Sequence, residues 1–110
     1  MKDFNEVWED ILFQVNKHKV IKAPETQKYQ VIQEVEGDTI SFTNDATKQT
    51  PSEKINKDDF ARVWNVLAEK GVIKEAEIRP LVGHTKMEFI WSVMNRLDYC
   101  EYDLRALKIV

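Results

Sequence analysis

The apolar residues of this chain change their period near residue 18, and this change constrains the fold more than any other feature. Before that point they recur every three to four residues, which places them on one face of a helix. The residues of this face are Phe4, Val7, Trp8, Ile11, Leu12 and Val15. Asp3 stands ahead of them as a candidate N-cap, with Glu6 at the spacing of a capping box. The sequence therefore predicts a helix from about residue 3 to about Lys17.

After the helix, β-branched and aromatic residues alternate with polar ones on both sides of Glu36-Gly37-Asp38. Such alternation predicts strands, and a glycine that can adopt a positive φ predicts a tight turn between them. Residues 28–44 are therefore expected to form a β-hairpin. Residues 19–23 are a candidate third strand, which Pro24 interrupts. The polar stretch 43–54 is predicted to be a mobile loop.

A second helix signal begins at Asn56, which is placed to accept hydrogen bonds as an N-cap. Its apolar face consists of Phe60, Val63, Trp64 and Leu67. Gly71 follows this face at the position where helices commonly end in a left-handed residue. The sequence thus predicts a helix that begins after Asn56 and ends at Gly71.

A third helix is predicted from the candidate capping box of Thr85 and Glu88 to about Leu97. Its apolar residues cover most of the circumference, which is typical of a helix at the centre of a core or of one that also contacts a partner. Two segments show too little periodicity for assignment: residues 72–83, where Pro80 disfavours a long helix, and the tail 99–110.

These elements predict a single α+β domain over residues 1–110. We expect an N-terminal helix, then a β-hairpin or three-stranded antiparallel sheet, then two or three helices packed on one face of the sheet. A chain of 110 residues has room for one domain of ordinary size. The single cysteine cannot form an intramolecular disulfide, and no apolar run approaches the roughly 18 residues of a membrane span. We therefore expect a soluble, cytoplasmic protein that does not associate with membranes.

The sequence offers little support for a catalytic or metal site. Its soft or borderline metal ligands are His18, His84 and Cys100, which share no ligand spacing. Its three glycines are isolated rather than grouped as in a phosphate-binding loop. We therefore predict no catalytic residues, no metal and no cofactor. A hydrolase or transferase that uses Cys100 and a histidine stays open as an alternative, because such pairs meet only in the fold.

Nucleic-acid binding would require a local basic patch, because the net charge of −3 opposes attraction by the whole surface. One such patch lies between the first helix and the hairpin, where Glu25 is the only acid among four lysines. An aromatic residue for base stacking adjoins them, as a nucleic-acid contact requires. The predicted contact residues are Lys17, Lys19, Lys22, Lys28 and Tyr29. The alternative interpretation is a solvated loop.

The last predicted helix suggests two further interpretations. Residues 77–97 contain a short segment, a glycine and a capped helix, which is the order of a helix–turn–helix. Alternatively, its wide apolar face contacts a protein partner through Phe89, Trp91 and Val93. In that case the chain would be a subunit, regulator or inhibitor of a larger nucleic-acid machine, or a homodimer.

Four segments of the chain also carry a family resemblance. They are FNEVW at 4–8, KYQVIQEVEGDTISF at 28–42, INKDDFARVW at 55–64 and HTKMEFIWSVM at 84–94. In this order they resemble the small α+β accessory domains attached to nucleases and ATPases of prokaryotic restriction and phage-defence systems. The resemblance implies a non-catalytic role in recognising DNA or arranging a larger defence protein. It supplies no catalytic residues that could be transferred position by position.

Overall fold

The structure is a computed structural model that describes residues 2–44 and 52–110. Its helices and strands follow in the order α1 (Phe4–Lys17), β1 (Val20–Lys22), β2 (Tyr29–Glu36), β3 (Thr39–Thr43), β4 (Glu53–Asn56), α2 (Lys57–Lys70), β5 (Val72–Lys74), α3 (Glu75–Val82), α4 (His84–Met94), β6 (Cys100–Asp103) and β7 (Ala106–Ile109). The predicted α+β class is confirmed, with an N-terminal helix followed by an antiparallel sheet. No helix in the described ranges has both the length and the apolar character needed to cross a membrane.

The first sheet has four antiparallel strands in the order β1-β2-β3-β4. The candidate third strand is present as β1. The fourth strand, β4, corrects the prediction of a loop over 43–54, since residues 53–54 pair with β3. Its only apolar residue, Ile55, is buried opposite Ile40. Residues 45–51 of the predicted loop lie outside the described residues.

Two predicted helix boundaries are confirmed by their caps. The Asp3 side chain accepts from the Asn5 N–H at 3.3 Å, and α1 ends at Lys17 as expected. Asn56 and Asp59 form a reciprocal capping box at the start of α2, with distances of 3.1 and 3.0 Å. Gly71 ends α2 with a φ of 78°, a conformation that costs other residues more.

The core lies between one face of this sheet and the helices. Five buried sheet residues project to that side: Ile21, Ile32, Ile40, Phe42 and Ile55. The ring of Phe89 on α4 stacks on Phe42 at a centroid distance of 4.1 Å and meets the edge of Phe60 on α2 at 6.3 Å. Phe89 therefore joins the sheet to two helices.

Helix α4 differs from its prediction at both ends. It begins at His84 after Gly83 and ends at Met94, rather than being capped by Thr85 and reaching Leu97. The carboxylate of Glu88, expected in a capping box, instead accepts hydrogen bonds from Gln30 and Thr26 of the first sheet region. Tertiary contacts have thus replaced the local cap.

The placement of Phe89, Trp91 and Val93 corrects their assignment to an exposed partner surface. Their exposed fractions are 0%, 3% and 0%, because the wide apolar face of α4 is enclosed by the rest of the core. The excess apolar character of this helix therefore reflects a central position in the core.

The two unassigned segments form a second sheet together with a short helix. Strands β5, β7 and β6 lie side by side in that order, and α3 contains Pro80 within its eight residues. Gly83 alone separates α3 from α4, so the order of a helix–turn–helix followed by a β-hairpin is present. The second helix of such a motif must expose its side chains to bases, whereas α4 is mostly buried. The interpretation of α4 as a helix that contacts bases is therefore wrong.

The hairpin between β6 and β7 turns through two residues in an unfavourable conformation. Leu104 and Arg105 have φ values of 51° and 59°, and this pair of positive angles favours Asn-Gly. We expect the double substitution Leu104→Asn and Arg105→Gly to raise the free energy of unfolding by about 1–2 kcal/mol. Urea denaturation of both proteins measures this gain. A double variant that is less stable than the parent would contradict the assigned turn.

Candidate nucleic-acid interface

The first sheet exposes the face opposite the core, and part of the predicted contact lies there. Side chains alternate along a strand, so Val20 and Lys22 point away from the side of buried Ile21. On β2 the exposed Tyr29 likewise points away from the side of the completely buried Gln30. We call the face of the first sheet opposite the core the open face. The part of it formed by Val20, Lys22 and Tyr29 is called the β1–β2 edge.

Strand pairing brings the predicted lysine and tyrosine together. Lys22 is the direct antiparallel partner of Tyr29, and Val20 is the partner of Val31. Directly opposed residues have Cβ atoms roughly 5 Å apart. Tyr29 is 47% exposed and Val20 is 55% exposed. A flat aromatic ring, an ammonium group and an apolar side chain thus adjoin one another on one accessible surface.

Lys17 and Lys19 lie on a different part of the molecule. The Lys19 ammonium approaches the Val15 carbonyl at 3.4 Å, at the C-terminal end of α1, where a cation is favourable. The Lys17 ammonium lies 5.4 Å from the centre of the exposed Phe13 ring. Both lysines are therefore engaged at the C-terminal end of α1 and do not lie beside Lys22 on the open face.

Lys28 is exposed in the connection 23–28, immediately before Tyr29. This connection is held at two points. Its Thr26 hydroxyl donates to Glu88 of α4 at 3.4 Å, and its Glu25 carboxylate accepts from the Tyr102 hydroxyl of β6 at 2.8 Å. Lys28 thus belongs to a connection that hydrogen bonds hold to α4 and β6.

The other end of the open face is acidic. Glu34 and Glu36 project there beside Ser41 and Thr39, and Lys54 completes a shallow cleft of about 230 Å³. A polyanion would be repelled from this end and attracted to the lysine-bearing end. The charge distribution therefore favours contact at the β1–β2 edge.

The predicted contact residues did not include Val20 and Val31, which extend the surface around Tyr29. Their signal was present as alternation with Ile21 and Ile32. Deciding which of these alternating residues point away from the core required the strand register, which places Val20 opposite Val31.

The candidate nucleophile Cys100 is 4% exposed. Burial, followed by the nearby Asp98 carboxylate, raises the pKa of its thiol from 9.0 to about 12. The thiol therefore remains protonated near neutral pH and is a poor nucleophile. His18 lies elsewhere, with its Nε2 3.1 Å from the Arg96 guanidinium. Burial, Arg96 and Lys17 lower the pKa of His18, since each disfavours the imidazolium.

This placement predicts slow alkylation of the Cys100 thiol. A rise in pKa from 9.0 to about 12 lowers the thiolate fraction about a thousandfold at neutral pH. We expect iodoacetamide to modify the folded protein at least a hundred times more slowly than the protein unfolded in urea, as followed by mass spectrometry. Equal rates in the two states would show that the thiol is accessible and ionised.

A second polar cleft, of about 310 Å³, lies between α1 and the segment after α4. Within it the Tyr99 hydroxyl donates to Asp10 Oδ2 at 2.7 Å. Burial and the Asp10 carboxylate raise the pKa of Tyr99, so the phenol remains a donor. This hydrogen bond joins α1 to the segment that follows α4. Across residues 2–44 and 52–110, no cluster of three or more His, Cys, Asp or Glu side chains could hold a metal ion.

Comparisons with known proteins add no assignment to this geometry: no family model, curated protein or solved structure matches the chain. The candidate interface therefore depends on its own residues.

Proposed function

We propose that this chain is a non-catalytic binding module that contacts single-stranded nucleic acid through the β1–β2 edge of its open sheet face. Tyr29 supplies a stacking surface for a base, and Lys22 supplies a cation for the adjacent phosphate. Lys28 extends the cationic contact on one side, and Lys17 and Lys19 extend it toward the end of α1.

One observation carries this proposal: Lys22 and Tyr29 are direct cross-strand partners on an accessible face. Stacking of a base on an aromatic ring is sequence-tolerant, and a neighbouring ammonium can follow the backbone. Single-stranded nucleic acid suits this arrangement, because its bases are free to stack on the ring. The paired bases of a duplex are not.

The local charge supports the same assignment despite the net charge of −3. Four lysines and a single acid, Glu25, occupy the stretch from residue 17 to residue 29. Glu25 is 3.8 Å from Arg105 and also accepts from Tyr102, so its carboxylate is engaged on the side of the second sheet. Lys22 and Lys28 consequently dominate the charge at the β1–β2 edge, and Lys17 and Lys19 add positive charge at the end of α1.

Replacement of the tyrosine tests the stacking role. Because stacking is worth about 1–3 kcal/mol per base, we expect Tyr29→Ala to weaken binding of a labelled oligothymidylate by about tenfold or more at low salt. Tyr29→Phe retains the ring and should bind like the parent. Fluorescence anisotropy with single- and double-stranded forms of one sequence also measures the expected preference for the single strand.

Lys54→Ala provides a matched control for Lys22→Ala, since Lys54 projects from the same face at its acidic end. We expect loss of affinity for Lys22→Ala and little change for Lys54→Ala. Equal effects of these two substitutions, or unchanged binding by Tyr29→Ala, would refute contact at the β1–β2 edge.

We further propose that the module serves as an accessory part of a restriction or phage-defence system. The segments at 28–42 and 55–64, which carry the resemblance to such accessory domains, include β2 with Tyr29 and the start of α2. Deletion of the gene from its host, followed by plaque counts with a phage panel, tests this context. An unchanged phage sensitivity would count against a defence role and would leave oligonucleotide binding to be judged separately.

A further inference from the structure

The β6–β7 hairpin presents an exposed apolar residue at its tip. Leu104 is 83% exposed, the highest value among the large hydrophobic residues described as exposed. It also occupies one of the two positive-φ positions of the turn. Positive φ costs a leucine about 1–2 kcal/mol, and the exposed side chain recovers little of this by packing within the chain. An external contact would account for both features.

A cleft of about 400 Å³ adjoins the tip on the side of α3. It has an apolar part formed by Ala76, Ala106 and Leu104 and a cationic part formed by Lys74, Arg79 and Arg105. Interfaces between proteins commonly place apolar contacts at the centre and charged groups at the rim. The cleft has both kinds of surface in one place.

The charged side chains around this cleft indicate which charge a molecule bound there would carry. Arg79 is paired with Glu75 at 3.0 Å, and Arg105 is 3.8 Å from Glu25. Both arginine side chains are more than half exposed, so carboxylates from outside can reach them. Lys74 adds a third exposed cation. Charge complementarity therefore favours an acidic occupant.

We propose that the β6–β7 tip and its cleft dock an acidic protein segment that carries an apolar side chain. The apolar side chain packs against Leu104 and the two alanines, while flanking carboxylates pair with Arg79 and Arg105. A nucleic-acid strand fits this surface less well, since a phosphate backbone gains nothing from the exposed apolar side chain of Leu104. The tip adjoins the connection 23–28 through Glu25, which lies 3.8 Å from Arg105, but its cleft shares no residue with the β1–β2 edge. Variants of Leu104 and of Tyr29 therefore test the two proposals separately.

The substitution Leu104→Asn separates docking from stability. Asparagine tolerates positive φ better than leucine, so the variant should fold at least as stably as the parent. It also removes the apolar side chain, so docking should weaken. Leu104→Met keeps an apolar side chain and should dock like the parent. Val110→Asn, beyond the other end of β7, is the matched control because Val110 is also exposed.

The test is selection of a displayed random-peptide library against the immobilised protein, followed by affinity measurements on the enriched peptides. We expect enrichment of peptides in which an apolar residue is flanked by Asp or Glu. These peptides should bind Leu104→Asn at least tenfold more weakly than the parent, and should bind Leu104→Met and Val110→Asn like the parent.

Three results would overturn the proposal. They are the absence of enriched peptides, enriched peptides that lack acidic residues, and enriched peptides that bind Leu104→Asn as tightly as the parent. A loss of oligonucleotide affinity in Leu104→Asn without any loss of peptide affinity would instead assign the tip to nucleic acid.

Discussion

Phe89→Ala is expected to lower the free energy of unfolding by about 3–5 kcal/mol, the usual cost of removing a buried phenylalanine ring. Phe89 is completely buried, stacks on Phe42 at 4.1 Å and meets Phe60 at 6.3 Å. Its removal therefore leaves a cavity where the first sheet, α2 and α4 meet. Urea denaturation followed by circular dichroism measures the loss.

Two further variants test whether the loss of stability comes from the buried volume of Phe89. Phe89→Leu retains much of the buried volume and should cost about 1–1.5 kcal/mol. Phe13→Ala, at a ring that is 59% exposed on α1, should change stability by less than about 0.5 kcal/mol. A similar loss for Phe13→Ala and Phe89→Ala would mean that Phe89 does not occupy the centre of the core.

Asp59→Ala should have the second largest effect, a loss of about 2–4 kcal/mol in the free energy of unfolding. The Asp59 side chain is 2% exposed and accepts from the Asn56 backbone N–H at 3.0 Å. It also contacts the Arg62 guanidinium and lies 3.4 Å from the Lys86 ammonium. Alanine would leave the start of α2 without its reciprocal cap and two cations without their shared partner.

Asp58→Ala is the matched control for Asp59→Ala. Asp58 lies in the same first turn of α2 but is exposed, so its contribution is restricted to the helix dipole. We expect this substitution to lower the free energy of unfolding by about 0.3–1 kcal/mol at low salt. Equal thermal destabilisation by the two alanine substitutions would indicate that the buried contacts of Asp59 contribute nothing beyond its charge.

Helices α1 and α2 were predictable from their local signals, and the polar edge strand was not. Asp3 and Asn56 mark the starts of α1 and α2, because caps are encoded within a few residues. Strand β4 carries one apolar residue, Ile55, and is defined by pairing with β3, a contact that no local pattern encodes. The β6–β7 hairpin was missed because its turn uses Leu104 and Arg105 in place of the usual glycine or asparagine.

Tertiary packing also decided which candidate site residues are accessible. The wide apolar face of α4 was compatible with a core or an interface, and the facing sheet and helices make it core. Lys17 and Lys22 are close in the chain, but the change from helix to strand between them turns their side chains toward different surfaces. The pairing of Lys22 with Tyr29 requires the β1–β2 register, which local periodicity does not specify.

The most direct test of nucleic-acid binding at the β1–β2 edge is the salt dependence of oligonucleotide affinity. Each phosphate contact on a single strand contributes a slope of about −0.7 in a plot of log affinity against log salt concentration. With two to four lysines engaged, the parent protein should show a slope of about −1.5 to −3.

Simultaneous replacement of Lys17, Lys19, Lys22 and Lys28 by alanine should bring this slope close to zero. A control with Lys54, Lys70, Lys74 and Lys108 replaced by alanine has the same net charge and should keep the slope of the parent protein. A parent protein that shows no binding at low salt, or equal slopes for the parent and the first variant, would contradict nucleic-acid binding through this edge.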